Sequence, residues 1–143
     1  MGDGGIRRRF ELYADLQSDI RYQSMRLYTK QRSAQAPSSP SFDEHHAGKG
    51  GVSDRVGSAA AELDELRETI RQMEARAAEE RTELERLMSP LCSGQKNVLR
   101  ALYIDRLEWP DVEGFIGKCR KTCEKYREDA FRLMEELYGE KNT

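Results

Sequence analysis

Apolar residues recur at helical spacing along the first part of the chain, from residue 6 to about residue 32. Four of them lie seven residues apart and two more widen the stripe: Ile6, Phe10, Tyr13, Leu16, Ile20 and Leu27. Polar residues fill most of the remaining positions. This spacing predicts an amphipathic helix that buries one side against a partner.

A second and longer series predicts a coiled-coil helix from about Ser53 to about Met88. Apolar residues occupy both positions of a seven-residue repeat: Val56, Ala59, Leu63, Leu66, Ile70, Met73, Ala77, Leu84 and Leu87. Glu80 is the one polar residue in the series. At about 1.5 Å per residue the helix is roughly 50 Å long. We therefore expect the first helix to fold back along it as an antiparallel helical hairpin.

The segment between these two helices, residues 33–51, has a different composition. It is rich in Ser, Pro and Gly and has almost no periodic apolar side, which predicts a flexible linker. A hairpin of two helices leaves apolar surface exposed, because each seam covers only one neighbour well. We therefore expect a homodimer or higher homo-oligomer, formed either by two hairpins in a four-helix bundle or by a parallel dimer of the long helix.

Three shorter helices are predicted after Pro90, which ends the long helix because proline cannot continue its hydrogen bonding. The first is capped by Ser93 and runs to about Asp105, the second begins at Trp109 and Pro110 and ends near Ile116, and the third runs from Cys119 or Arg120 to about Tyr138. Gly117 suits the turn between the last two. The sequence thus predicts an all-α protein, with a helical hairpin or coiled coil in residues 1–90 and a three-helix helix-turn-helix domain in residues 91–143.

The same spacing predicts which side chains form the core of residues 91–143. From the first helix of this segment we expect Val98, Leu99, Leu102 and either Tyr103 or Ile104; from the last we expect Cys123, Tyr126, Ala130, Leu133 or Met134, and Leu137. Trp109 stands directly before Pro110, and we predict that it pins two helices together rather than stacking on a ligand.

Charge is nearly balanced over the chain but is unevenly distributed. The 24 Lys and Arg residues against 26 Asp and Glu residues point neither to a polyanion nor to a basic substrate. Residues 52–90 hold six arginines against ten acidic residues, whereas residues 118–127 hold five basic residues against Glu124 alone. With 143 residues and 37% hydrophobic content, the chain has room for one small domain and a helical appendage. The start of the last helix is its basic patch.

The stretch from Gln95 to Tyr138 resembles region 4 of sigma factors as it occurs in small phage and prophage proteins, which include RinA/ArpU-like late transcription regulators. The residues that carry the resemblance are Val98-Leu99, Tyr103-Ile104-Asp105, Trp109-x-x-Val112, Gly117 and Ala130-x-x-Leu133. A broader uncharacterised phage family is also similar in its N-terminal helix, in a start like Asp54-Arg55-Val56-Gly57 and in its long heptad helix. The chain departs from the family pattern at Glu113, Gly114 and Cys119.

The resemblance implies a DNA-binding regulator of phage late genes, which acts by binding double-stranded promoter DNA, by contacting host RNA polymerase, or by both. In a helix-turn-helix, the N-terminal residues of the last helix face base edges, and nearby basic residues hold phosphates. The candidate base-facing residues are Lys121, Thr122 and Lys125, and the candidate phosphate anchors are Lys118, Arg120 and Arg127.

The charge balance of residues 91–143 favours a second hypothesis. This segment holds ten basic and ten acidic residues, whereas a DNA-binding domain is usually basic. The alternative is a protein-interaction module that binds RNA polymerase or another phage or host protein without touching DNA. The run Arg7-Arg8-Arg9 also has two interpretations, a minor-groove arm or solvated charge at a helix start.

The sequence holds no pattern typical of an enzyme, a metal centre or a cofactor site. No Ser-His-acid spacing or phosphate-binding glycine loop is present, and His45 and His46 lie in the predicted linker. Cys119 and Cys123 form no CxxC pair, so we expect no metal. An odd count of three cysteines, the lack of a secretory leader and the lack of an apolar run of about 18 residues predict a soluble protein of a reducing cytoplasm without a membrane span. The resemblance to phage proteins implies that this is the cytoplasm of a bacterial host cell.

Overall fold

The computed structural model describes residues 5–35 and 50–139, which are almost entirely helical and contain no strand. Five α-helices follow one another: α1 (Gly5–Gln35), α2 (Gly50–Leu87), α3 (Ser93–Leu99), α4 (Trp109–Ile116) and α5 (Arg120–Tyr138). The all-α prediction is therefore confirmed. Both ends of the predicted linker are helical, and its remaining residues, 36–49, lie outside the described residues together with His45 and His46.

The described residues divide into two compact units. Unit 1 joins α1 as far as Gln17 to everything from Ala77 onward, and unit 2 is Ser18–Arg76. This division does not fall at the predicted boundary between residues 90 and 91, because the start of α1 and the end of α2 pack with the C-terminal helices. The hairpin and an independently folding segment 91–143 stay predictions.

Three aromatic rings from distant parts of the sequence meet in the core of unit 1. Phe10 is fully buried, and its ring contacts Tyr103 and Phe131 edge to face, with centroids 5.8 and 5.5 Å away. Tyr103 and Phe131 also contact each other at 5.8 Å. Such aromatic pairs contribute about 0.5–1.5 kcal/mol each beyond the burial of their area. The first turns of α1 are thereby fixed to the C-terminal helices.

Two arginines of the run at residues 7–9 are bound within unit 1. The Arg9 guanidinium donates to both carboxylate oxygens of Glu80 at 3.0 Å, so the one polar residue of the heptad series has a charged partner. Arg7 pairs with Glu128 at 3.3 Å. Arg8 is exposed. The basic run is therefore neither wholly solvated nor wholly available as an arm.

The first C-terminal helix differs from its prediction at both ends. Cys92, not Ser93, precedes α3 in the extended capping conformation. The helix does not continue to Asp105 as an α-helix, because a π-helical turn occupies Arg100–Ile104 and the Asp105 N–H donates to the carbonyl of Arg100, five residues back, at 2.8 Å. A wider turn changes which side chains face the core. The buried residues here are Val98, Leu99, Ala101 and Ile104, while Leu102 and Tyr103 are half-buried.

The structure also differs in two places from the predicted set of buried side chains on α5. Cys123, Ala130 and Met134 are buried as predicted. Leu137 is 53% exposed, so its predicted burial is wrong. Phe131, which was not predicted, is 5% exposed because Phe10 and Tyr103 cover its ring. Which side chains of α5 are buried therefore depends partly on residues that lie far away in the sequence.

An ion pair between α2 and the π-helical turn predicts an acid-sensitive contribution to stability. Arg100 donates to the Glu85 carboxylate at 2.8 and 3.2 Å, and this hydrogen bonding lowers the pKa of Glu85 below its ordinary value of 4.5. Because the folded-state pKa is depressed, the pair stabilises the fold fully above about pH 4.5, and its contribution is lost as the pH falls through the folded-state pKa. We expect Glu85→Gln to cost up to about 1 kcal/mol at pH 7 and less near pH 3.

Urea denaturation of the wild type and of Glu85→Gln at both pH values checks this prediction. Glu79→Gln is the matched control, because Glu79 is exposed on the same helix and makes no ion pair with the described residues. An equal loss of stability at pH 7 and pH 3 would show that the Glu85 charge is not the cause.

Candidate nucleic-acid interface

Local sequence explains both ends of α4. The extended backbone of Glu108 precedes the helix, and its carbonyl accepts the first helical hydrogen bonds. Pro110 lies in the first turn, where its missing N–H costs nothing. Gly117 ends the helix with φ 77°, a left-handed conformation that glycine adopts readily, and donates to the Glu113 carbonyl at 2.8 Å. The predicted bounds Trp109–Ile116 are confirmed.

The turn between α4 and α5 contains only Gly117, Lys118 and Cys119. Cys119 has the extended conformation of a residue that precedes a helix, with φ −70° and ψ 165°. Its carbonyl accepts the N–H of Cys123 at 3.0 Å, and α5 runs from there to Tyr138. The predicted bounds of the last helix are therefore confirmed.

A compact apolar cluster fixes the inner side of α5. Val98, Ala101, Val112 and Cys123 are buried in it. Partly buried apolar residues pack around them, and Leu107 among these lies in the connection before α4: Leu102, Leu107, Trp109, Ile116 and Tyr126. Helices α3, α4 and α5 thus contact one another, and the side of α5 away from Cys123 faces solvent.

Three lysines define the exposed basic side of this region, which we call the lysine face: Lys118, Lys121 and Lys125. All three are exposed. Lys121 and Lys125 are four residues apart and lie on one side of the first turns of α5, whereas Lys118 lies in the turn that precedes the helix. Lys125 is 74% exposed in its side chain and lies 3.4 Å from Asp129. Lys118 and Lys121 make no ion pair with the described residues.

The two predicted arginine anchors occupy a different side of α5, where they cover Trp109. Their guanidinium carbons lie 4.7 Å (Arg120) and 5.6 Å (Arg127) from the centre of the indole ring. Arg120 also pairs with Glu124 at 2.8 Å, and Arg127 pairs with Glu128 at 3.1 Å. Only 22% of the Arg127 side chain is exposed. These arginines hold α4 against α5 through cation–π contact.

The six predicted site residues therefore do not form one group. Lys121 and Lys125 share one side of α5, Lys118 is exposed in the turn before the helix, and the two arginines lie over Trp109. Thr122 is half-buried, with its hydroxyl 3.5 Å from the Cys119 sulfur. The sequence predicted that Trp109 joins two helices, and its packing agrees. The spacing of seven residues between Arg120 and Arg127 was the one available sign that both lie on the same side of α5.

The two cysteines of this region are predicted to differ in reactivity. The hydroxyl and backbone N–H of Thr122 lower the pKa of Cys119, which is exposed, whereas burial raises the pKa of Cys123. Since the thiolate is the nucleophile, we expect iodoacetamide at pH 7.5 to modify Cys119 at least about tenfold faster than Cys123. Thr122→Val should slow Cys119 about two- to threefold, because a higher pKa leaves less thiolate but makes it more nucleophilic.

Peptide mass spectrometry of samples quenched over time measures these rates. Thr122→Ser keeps the hydroxyl and should keep the wild-type rate, and the rate at Cys92 should be the same in all variants. Equal rates at Cys119 and Cys123 would contradict the burial of Cys123, and an unchanged rate in Thr122→Val would show that the hydroxyl does not lower the pKa of Cys119.

The described residues hold no metal site and no membrane-spanning helix beside this basic region, and comparisons with known proteins give no match. Among the described residues, no group of three His, Cys, Asp or Glu side chains is arranged to hold a metal ion. None of the helices within residues 5–35 and 50–139 has the length and apolar character needed to cross a membrane. No protein-family model, curated protein or solved structure matches the chain.

Proposed function

We propose that this protein is a phage-type transcription regulator that binds double-stranded DNA with α4 and α5 acting as a sigma region 4-like helix-turn-helix. The observation that carries the proposal is the lysine face, an exposed basic side at the start of a helix whose opposite side is fixed by a buried core. A rigid support of this kind keeps base-reading side chains in position.

The order of elements supports α5 as the reading helix. In a helix-turn-helix the second helix lies in the major groove and contacts base edges with its N-terminal residues, while the first crosses the backbone. Lys121 and Lys125 lie in the first two turns of α5 and are exposed, so they take the base-facing role. Thr122 contributes less, because it is half-buried against Cys119.

The proposed phosphate anchors are Lys118 and Arg120. Lys118 is exposed in the turn before α5, and the Arg120 side chain is 55% exposed although it contacts Trp109. We assign Arg127 a positioning role instead, since its guanidinium is committed to Glu128 and to the Trp109 ring. Phosphate contacts fix the register of the protein on DNA, and base contacts give specificity.

The regulatory part of the proposal follows from the family resemblance. A regulator of late genes reads promoter DNA and contacts host RNA polymerase. If the chain is a homodimer or larger homo-oligomer, it presents two or more such helices, and a two-fold pair matches two half-sites separated by about one turn of DNA.

Fluorescence anisotropy on a pool of short duplexes, repeated from 50 to 200 mM salt and followed by sequencing of the bound fraction, tests the proposal. The two proposed phosphate anchors, Lys118 and Arg120, predict a slope of log K against log salt of about −2 per bound chain. An enriched pair of half-sites would support a sequence reader. Absence of binding at 50 mM salt would overturn DNA binding.

One exposed aromatic residue favours the second candidate, a module that binds RNA polymerase or another protein without DNA. Phe115 is 74% exposed near the end of α4. Asp111 on the same helix and Glu108 directly before it are also exposed. Exposed aromatics are enriched in protein interfaces, and acidic residues disfavour DNA. Binding to purified RNA polymerase in the presence of nuclease, lost in Phe115→Ser and kept in Lys121→Glu, would support this candidate.

A further inference from the structure

Unit 2 buries very little of its apolar surface. Among its described side chains only Leu66 and Ile70 are buried, at 9% and 7% exposure. Leu27, Leu63 and Met73, which the heptad pattern places on the seams, are half-buried. Units of this size seldom have a sufficient core by themselves and often gain stability by association.

The outer side of α1 in unit 2 carries three large exposed side chains. Tyr22, Met25 and Tyr28 are 63%, 57% and 55% exposed. They are three residues apart, so they lie on successive turns along one side of the helix. The half-buried Ile20 and Leu27 lie on the other side. Helix α1 is therefore apolar on two opposite sides, which is typical of a helix with a second partner.

This outer side of α1 is also basic, and we call it the basic-aromatic face. Arg21, Arg26 and Arg32 are exposed beside the three large side chains, and the Arg32 guanidinium lies 5.7 Å from the Tyr28 ring. Residues 18–34 hold four basic residues against Asp19 alone. A partner for this face needs negative charge as well as room for large side chains.

Helix α2 of the same unit has an outer side with the opposite properties, which we call the acidic face. It consists of exposed residues spaced by four and three: Ala61, Glu65, Glu68, Gln72 and Ala75. Each of the last four lies two residues after a seam position, which is about 200° around the helix at 3.6 residues per turn. Residues 57–76 hold five acidic residues against three basic ones. Glu65 makes no ion pair with the described residues, whereas Glu68 pairs with Arg71 on the same helix.

We propose that the basic-aromatic face of one copy docks on the acidic face of a second copy of this chain. Charge decides between the possible pairings. Two basic-aromatic faces would oppose arginines to arginines, and two acidic faces would oppose carboxylates, and both arrangements are repulsive. In the mixed pairing, Arg21 and Arg26, five residues apart, meet Glu65 and Glu68, which are three residues apart. Arg32 lies about 16 Å along α1 from Arg21 and stays outside this contact. The alanines of the acidic face leave space for the tyrosines.

The mixed pairing has a consequence for assembly. Its two surfaces belong to different helices, so the contact is heterologous, and it stops at a small number of copies only if the rotation between copies closes a ring. The contact area is small, because three side chains and the arginine stems supply less than the roughly 800 Å² per partner of a stable interface. We expect association in the micromolar range or weaker that decreases with salt.

Charge-reversal variants of the full chain provide the test, with mass measured by light scattering and sedimentation equilibrium after nuclease treatment. The first variant is Arg21→Glu with Arg26→Glu, and the second is Glu65→Lys with Glu68→Lys. At 50 mM salt each alone should associate at least about tenfold more weakly than the wild type. An equimolar mixture of the two should associate again, because each supplies the charge that the other needs. Arg8→Glu with Arg81→Glu, two exposed positions outside both faces, is the control and should behave as the wild type.

Three results would overturn the inference. A wild-type monomer at every concentration up to several hundred micromolar at low salt excludes the contact. Undiminished association of Glu65→Lys with Glu68→Lys excludes the acidic face, and a mixture that fails to associate excludes the mixed pairing. Circular dichroism confirms that each variant is folded. The substitutions lie outside α4 and α5, so DNA binding by single chains can succeed or fail independently of this test.

Discussion

Phe10→Ala is expected to destabilise unit 1 by about 3–5 kcal/mol, the usual cost of removing a buried phenylalanine side chain. Phe10 is fully buried and its ring touches both Tyr103 and Phe131. The substitution removes two aromatic contacts and leaves a cavity that the surrounding helices fill only in part. Urea denaturation followed by the fluorescence of Trp109, the single tryptophan of the chain, measures the effect within unit 1.

Leu12→Ala is the control for this prediction. Leu12 lies on the same helix two residues further on and is 48% exposed, so its truncation should cost less than about 1 kcal/mol. Similar small losses for both variants would show that the start of α1 does not belong to the core around Trp109. A large loss for Phe10→Ala alone would establish that a segment at the beginning of the chain stabilises the proposed DNA-binding helices.

Lys121→Glu combined with Lys125→Glu is expected to weaken DNA binding by roughly thirtyfold or more. Each base contact of this kind contributes about 1–3 kcal/mol, and about 1.4 kcal/mol corresponds to a factor of ten. Reversed charges also repel phosphates, so the loss exceeds that of neutral substitutions. Both side chains are exposed, and thermal unfolding should therefore change little. Anisotropy titration of the variant on the duplexes selected by the wild type measures the loss.

Two comparisons separate groove contact from bulk charge. Arg8→Glu with Arg81→Glu changes the net charge equally at exposed positions outside α4 and α5, and it should bind almost as the wild type does. Arg127→Ala should lower stability and leave the salt dependence nearly unchanged, because Arg127 contacts Trp109 and Glu128. Wild-type affinity in the lysine variant would contradict the assignment of α5 as the reading helix.

The arrangement around Trp109 links stability to the proposed function. Arg120 and Arg127 lie over the indole ring, so the residues that looked most suitable for phosphate contact also join α4 to α5. A helix held in this way presents the lysine face in one orientation. The bound carboxylates of Glu124 and Glu128 offset much of the positive charge, which explains physically why a strongly basic stretch of sequence becomes a modestly basic surface.

The sequence by itself determined the elements whose causes are local. Pro110 in a first turn and Gly117 in a left-handed conformation gave α4 its bounds, since both residues act through their own backbone preferences. The heptad series likewise predicted the buried sides of α1 and α2 where Phe10, Ile70 and Leu84 now lie. Helical periodicity depends only on spacing within one segment, so it can be read without knowledge of the partner.

Only the tertiary structure decided which distant residues meet. Glu80 is a polar residue at a heptad position where the pattern predicts an apolar one. Its ion-pair partner, Arg9, lies 71 residues away in the sequence. Phe131 is buried because Phe10 and Tyr103, which lie 121 and 28 residues earlier in the sequence, cover its ring. Unit 1 crosses the predicted boundary for the same reason. Periodicity tells which side of a helix is buried, but the partner of that side, and the burial or exposure of a charge near it, depend on contacts that no local pattern encodes.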